Sequence, residues 1–359
     1  MIELSRDEAR RIAVRAQLLD ADTPGDVVEV ADQLAAIKID PTAVIAPAEH
    51  TILWSRLGRG YEPVQLSKVV ERDRLLFEFD GAFRPIDVLP LLLPDMRATP
   101  RRESTKQWLA ANAAFRDDVM ARLRAEGPLF ARDIPDTAEV ARAPDGWSGS
   151  NQTTIMLDIL HRMGVVAIAG REGRQRRYDL AERVYPQVPA LDAEEATLLL
   201  QQRRLRAAGI AKQKSPWTPV GLAGEAATVE GSTWTWRVDP DALASLDGDD
   251  PGGRAAILNP YDPMLFDRPR LTELFDFTYV LEQFKKKHER RYGFFAHPIL
   301  LGDRFVGLLD AAVDKERGIL RVSGVHELLP FDPEEAEIVD LEIEGLADWL
   351  GVGHERIDA

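Results

Sequence analysis

Asn151 to Leu180 reads NQTTIMLDILHRMGVVAIAGREGRQRRYDL, and the fold turns on how this stretch is interpreted. Ile155, Ile159 and Met163 recur at helical spacing, with Leu160 alongside, and Gly164 stands where a helix C-cap belongs. VVAIAGREGRQRRYDL then reads as two short strands joined by a glycine-containing basic turn. Upstream, KQWLAANAAFRDDVMARLRAEG (106–127) is helical and stops at Gly127, and a short helix is expected around FARDI (130–134). Helix, helix, helix and basic hairpin is the order of a winged helix. In that fold one helix can enter a DNA groove while the hairpin touches phosphates. Small helical bundles with a hairpin also serve as protein-interaction modules, so a scaffold role stays open on this pattern alone.

Working outward, Ser5 and Glu8 form a capping box before ARRIAVRAQLL, where Ala9, Ile12, Ala13, Ala16 and Leu19 share a face. A second helix is expected from Thr23, with Pro24 in its first turn and Val27, Val30, Ala31 and Leu34 as its apolar stripe. QLSKVVERDRLLFEF (65–79) predicts a helix running into a strand, and FDGAFRP (79–85) a turn or wing. PDMRATPRRES (94–104) has prolines, a basic run and no periodicity, and reads as a boundary. A further unit opens with a helix after Asp192, continues through EAATVEGSTWTWRVD (225–239), and ends in the acidic linker SLDGDDPGGR (245–254). The last quarter is mostly strands and finishes in an acidic amphipathic helix, PEEAEIVDLEIEGLADWLG (333–351). The expected class is α+β.

A chain of 359 residues is long for one core and predicts two to four compact units. It has no cysteine, which excludes a disulfide scaffold and thiolate metal sites and fits the cytoplasm. The opening MIELSRDEAR is charged, so no signal peptide is expected, and apolar runs such as VLPLLLP (88–94) are too short to span a bilayer. The net charge of −15 argues against nucleic acid as a sum. Screening makes each patch count locally, however, and base clusters in MRATPRREST (96–105), REGRQRR (171–177), RRLRAAGIAKQK (203–214) and KKKHERRYG (285–293). No P-loop or dinucleotide fingerprint is present, and GWSGS (146–150) lacks the closing glycine of a nucleophile elbow. The six histidines are scattered without metal-ligand spacing, so neither a metal nor a cofactor is expected.

Two further stretches, IKIDPTAVIAPAEHTILWSRLGRGY (37–61) and LNPYDPMLFDRPRLTELFDFTYVLEQFKKKHERRYGFFAHPILLGDRFVG (258–307), resemble the winged-helix DNA glycosylases of the bacterial AlkZ/YcaQ family. The resemblance implies tandem winged-helix domains around a concave DNA-binding surface, closed by a small C-terminal β domain. The expected division is 1–98 and 99–186 as winged-helix domains, 187–248 as a degenerate third, and 249–359 as the β domain with its terminal helix. It further implies a monomer acting on double-stranded DNA that carries alkylated purines, with no membrane association. Interstrand crosslinks and bulky natural-product adducts are further candidate substrates. The alternative is a non-catalytic winged-helix DNA-binding protein. The family's Gln-Φ-Gln or Gln-Φ-Asp motif, Φ being apolar, falls on Lys38-Ile39-Asp40, with Lys38 in the place of the first glutamine.

In an extended segment Lys38 and Asp40 would share one face with Ile37 and Ile39 behind, and Pro41 biases Asp40 toward that geometry. Asp40 is the candidate catalytic carboxylate. For Lys38 three readings stand: a phosphate contact, a Schiff-base nucleophile, or a retuned site. A plain surface ion pair of the two is the structural alternative. Expected DNA contacts are Trp54 and Arg56 (with a core position as the alternative for Trp54), Arg171, Arg174, Arg176 and Arg177 on the second wing, and Arg268, Arg270, Arg290 and Arg291 on the β domain.

Overall fold

The computed structural model describes residues 1–142, 151–247 and 254–357; the GWSGS stretch and most of the acidic linker lie outside them. The chain mixes helices and sheets and forms two compact units. One comprises Met1–Leu66 and Leu198–Ala359, the other Ser67–Thr197.

The first unit begins with the Arg6–Ala16 helix. Its capping box is closed as the sequence predicts: Ser5 Oγ accepts from Glu8 N–H, and the Glu8 carboxylate accepts from Ser5 N–H. Ala9, Ile12, Ala13, Ala16 and Leu19 are all buried. The second helix, Val27–Leu34, starts later than expected. Asp26 rather than Thr23 caps it, because its carboxylate accepts from both Val28 and Glu29 N–H and so satisfies two orphan donors at once. A four-stranded sheet follows the order Ile2–Leu4, Glu225–Val229, Trp236–Val238, Ile210–Lys212, the N-terminal strand lying parallel to its neighbour. Gly209, before the last of these strands, has φ +69°, and a Cβ there would come within 2.7 Å of the Ala16 Cβ and the Ile12 carbonyl. That close approach of the first helix requires glycine.

Antiparallel strands Ala255–Ile257, His297–Leu301, Arg304–Asp314 and Ile319–Glu327 form a second sheet, to which Gly353–Arg356 adds in parallel. The acidic helix Pro333–Leu350 is capped by Asp332 and Glu335 and buries Val339, Ile343, Leu346 and Ala347, one face at helical spacing. One core runs through the unit: Leu4, Ile12, Trp236, Leu258, Leu274 and Phe305 pack together. Residues expected in the first, third and fourth sequence segments therefore share a single interior.

In the second unit the Leu76–Phe79 and Ala82–Pro85 strands form a hairpin turning at Asp80 and Gly81, both with positive φ. Its Phe77 and Phe79 pack on Leu89 and Met96. Residues 67–98, grouped by the sequence with the first domain, thus lie in the same unit as 99–186. The helices Glu103–Ala111, Ala113–Glu126 and Gln152–Arg162 pack Trp108, Phe115, Val119, Leu123, Met156 and Leu160 into one core, with Val166 and Tyr178 of the following hairpin. That hairpin, Val166–Glu172 with Gln175–Leu180, turns at Gly173 and pairs with the short Leu129–Phe130 strand. Among the described residues no helix is long and apolar enough to cross a membrane.

Candidate functional site

Ile37 and Lys38 make a two-residue strand after the Val27–Leu34 helix. Ile37 is fully buried and Lys38 exposed, the alternation expected of an extended segment. Half-buried Asp40 is held on three sides. Its Oδ1 accepts from Thr42 N–H at 2.8 Å, its carbonyl accepts from Ala48 N–H at 3.1 Å, and its own N–H donates to Glu49 Oε2 at 3.3 Å. The main chain of Asp40 is thereby tied to the N-terminal turn of the Ala48–Leu57 helix, and the carboxylate is held by the Thr42 N–H two residues on. Among the described residues Lys38 makes no ion pair with Asp40, so the plain surface pair is not formed.

The same helix aligns groups that the motif did not announce. His50 Nδ1 lies 2.7 Å from the Tyr61 hydroxyl. Burial pushes the His50 imidazole down to about 4, so it is neutral at pH 7, and burial together with the Glu49 charge raises the Tyr61 phenol. Trp349 donates to the Tyr61 carbonyl at 2.8 Å and stacks on both Tyr61 and Trp54. Thr51 Oγ1 accepts from Asn259 at 2.8 Å. No local spacing signals these partners; Asn259 and Trp349 come from positions distant in sequence. Beside the helix C-terminus lies a cavity of about 260 Å³ lined by Trp54, Arg59, Arg254, Leu341 and Glu342. Burial raises the Glu342 carboxyl to about 7.

The structure corrects several expected DNA contacts. Trp54 is a core residue. Arg56 is fully buried against Asp262, whose side chain is equally inaccessible, and also donates to the Gln17 carbonyl. Arg270 is buried and donates to the Ile210 and Ala208 carbonyls at 2.7 and 2.6 Å, with burial lowering it to about 10. On the hairpin, Arg171 and Arg176 face each other across the two strands, and both bond the buried carboxylate of Glu78 at 2.7 Å. A guanidinium committed to an internal carboxylate or carbonyl is not free for phosphate. Arg268 is half-buried over the Tyr279 ring, and half-buried Arg290 lies over Phe294. Arg174, Arg177 and Arg291 are exposed.

The sequence model of the family described as DNA glycosylase AlkZ-like matches residues 31–349, a span that includes Lys38 to Asp40 and the helix behind them. Among solved structures, the Streptomyces sahachiroi DNA glycosylase AlkZ superposes with a TM-score of 0.65 over 99% of this chain and 100% of that one, at 16% sequence identity. At that identity the likeness speaks for the fold.

Proposed function

Because the chain belongs to the AlkZ-like DNA glycosylase family, we propose that it hydrolyses the N-glycosidic bond of N7-alkylated purines in duplex DNA, acting as a monomer with Asp40 as the catalytic carboxylate. Interstrand crosslinks and bulky adducts joined through N7 belong to the same substrate class. Alkylation at N7 makes the purine cationic, so it leaves as a neutral base without a proton donor. The developing charge is on the sugar, an oxocarbenium like that of glycoside hydrolysis. A carboxylate beside C1′ opposes that charge and holds the attacking water. The observation that carries this role is the Thr42 N–H bond to Asp40 Oδ1, which orients the side chain on a main chain already held by Ala48 and Glu49. The tandem winged-helix reading supplies the DNA-binding scaffold.

The test is incubation with duplexes carrying N7-methylguanine or an N7-linked crosslink, with released base measured by mass spectrometry. Release expected from wild type supports the enzyme. Binding without release from either substrate supports the non-catalytic DNA-binding reading, which the lysine in place of the family glutamine favours.

Lys38 is exposed, which suits a phosphate or water contact better than a Schiff-base nucleophile, since burial is the usual means of neutralising a lysine. Lys38→Gln is expected to keep or raise base release, because it removes a positive charge near a cationic transition state and supplies an amide able to orient water. Borohydride trapping of wild type on DNA, lost in Lys38→Gln, would instead make the protein a glycosylase-lyase.

On the second hairpin, exposure singles out Arg174 and Arg177 as the phosphate contacts. Reversing both to glutamate is expected to weaken DNA binding and flatten its salt dependence by about 0.9 in slope per lost contact. Thermal stability should fall less than on reversing Arg171 or Arg176, each of which holds the buried Glu78.

A further inference from the structure

Between the Arg268–Phe275 helix and the His297–Leu301 strand the chain makes a closed loop around one buried carboxylate. Glu282 accepts from Lys285 Nζ and from the Arg291 and Tyr292 N–H groups, all at 2.8 Å. Arg290 Nε donates to the Lys285 carbonyl at 3.0 Å, and Lys287–Glu289 forms a 3-10 turn. These bonds draw residues 282 and 292 together and leave a rigid loop rich in base: Lys285, Lys286, Lys287, Arg290 and Arg291. Within it Phe284 is 80% exposed, while its neighbour Glu282 is 5% exposed.

The loop is not an independent appendage. Gln283 donates to the Tyr261 hydroxyl at 2.9 Å, and Asn259, two residues before Tyr261, donates to Thr51 on the Ala48–Leu57 helix at 2.8 Å. Glu49 at the start of that helix holds Asp40. Phe284 and Asp40 are therefore carried on one hydrogen-bonded frame.

A single exposed phenylalanine is ordinary on a protein surface. This one is different in its setting, because a loop stiffened by internal bonds projects it amid lysines that attract a polyanion. Such exposure forgoes the hydrophobic stabilisation that burying a phenylalanine contributes. DNA offers both a phosphate backbone for the lysines and a base stack for the ring. Resting on the DNA-glycosylase reading above, we infer that Phe284 is an apolar wedge that enters the base stack of the bound duplex while the surrounding lysines hold the phosphates. Proteins that bend DNA insert phenylalanine or leucine between base steps in this way, partly unstacking them and kinking the helix. Such opening would make the sugar beside a bulky base accessible without full extrusion of that base.

The experiment uses the full-length protein and a duplex with 2-aminopurine beside an N7-methylguanine, with donor and acceptor dyes at its ends. Wild type is expected to raise the 2-aminopurine emission and shorten the end-to-end distance. Phe284→Ala should lose both signals and bind about tenfold or more weakly, the scale of one lost base-aromatic stack. The slope of its binding against salt should be unchanged, because the phosphate contacts remain. Phe284→Leu should retain most of the bend, since shape and apolarity suffice for a wedge. Lys286 and Lys287 changed together to alanine should flatten the salt slope, with Lys285 kept because it holds Glu282. If wild type binds the duplex and Phe284→Ala matches it in emission, bend and affinity, the wedge is excluded while the glycosylase reading stands. If wild type does not bind duplex DNA at low salt, the reading on which the wedge rests fails, and the wedge with it.

Discussion

Asp40→Asn will lower single-turnover base release by roughly a hundredfold or more, with DNA affinity and thermal stability close to wild type. The scale is that of one positioned electrostatic group acting on a charge present only in the transition state. The substitution is chosen for its fit to the observed geometry. Asp40 Oδ1 accepts from Thr42 N–H, and its main chain bonds Ala48 and Glu49. An asparagine oxygen accepts the same bond from Thr42, and the main-chain bonds do not depend on the side chain. What the variant lacks is the negative charge opposite the sugar cation. Near-normal release from Asp40→Asn would move catalysis elsewhere on the surface. A fall of many degrees in melting temperature would show that the carboxylate is needed for the fold.

The largest effect on stability is expected from Arg56→Met, a loss of about 3–5 kcal/mol in urea unfolding. Arg56 and Asp262 are both wholly inaccessible, and removing one partner leaves the other charge buried without compensation. The double variant Arg56→Met with Asp262→Asn should recover part of the loss, because neither position then carries a charge. Asparagine keeps the bond that Asp262 makes to Met264 N–H at the start of the next helix. A double variant whose loss equals the sum of the two single losses would mean that the arginine acts through its bonds to the Gln17 and Ile52 carbonyls rather than through the ion pair. Arg56 joins residues 206 positions apart, so its change should also loosen the helix that presents Asp40.

The features legible in the sequence are those written within one turn of helix or one hairpin. Ser5 and Glu8 are three residues apart and close their box through their own backbone. Val27, Val30, Ala31 and Leu34 repeat at helical spacing and are buried together. The hairpin after the Gln152–Arg162 helix turns at its glycine. At the start of the second helix Thr23 and Asp26 are both residue types that can cap. Asp26 prevails because its carboxylate reaches two N–H groups.

What the sequence determined by itself is therefore local: the helices, the second hairpin, and an extended Lys38-Ile39-Asp40 segment whose likeness to a glycosylase motif names the candidate carboxylate. The tertiary structure alone decided what each charged side chain is for. REGRQRR reads as one basic turn, yet Arg171 and Arg176 neutralise Glu78, over 90 positions earlier, while Arg174 and Arg177 face outward. The Ile2–Leu4 strand finds its partner at Ala227–Val229. A guanidinium held by a buried carboxylate or carbonyl is not free for phosphate. Exposure and commitment are set by whichever distant carboxylate or carbonyl the folded chain brings within about 3 Å, and periodicity carries no trace of that encounter.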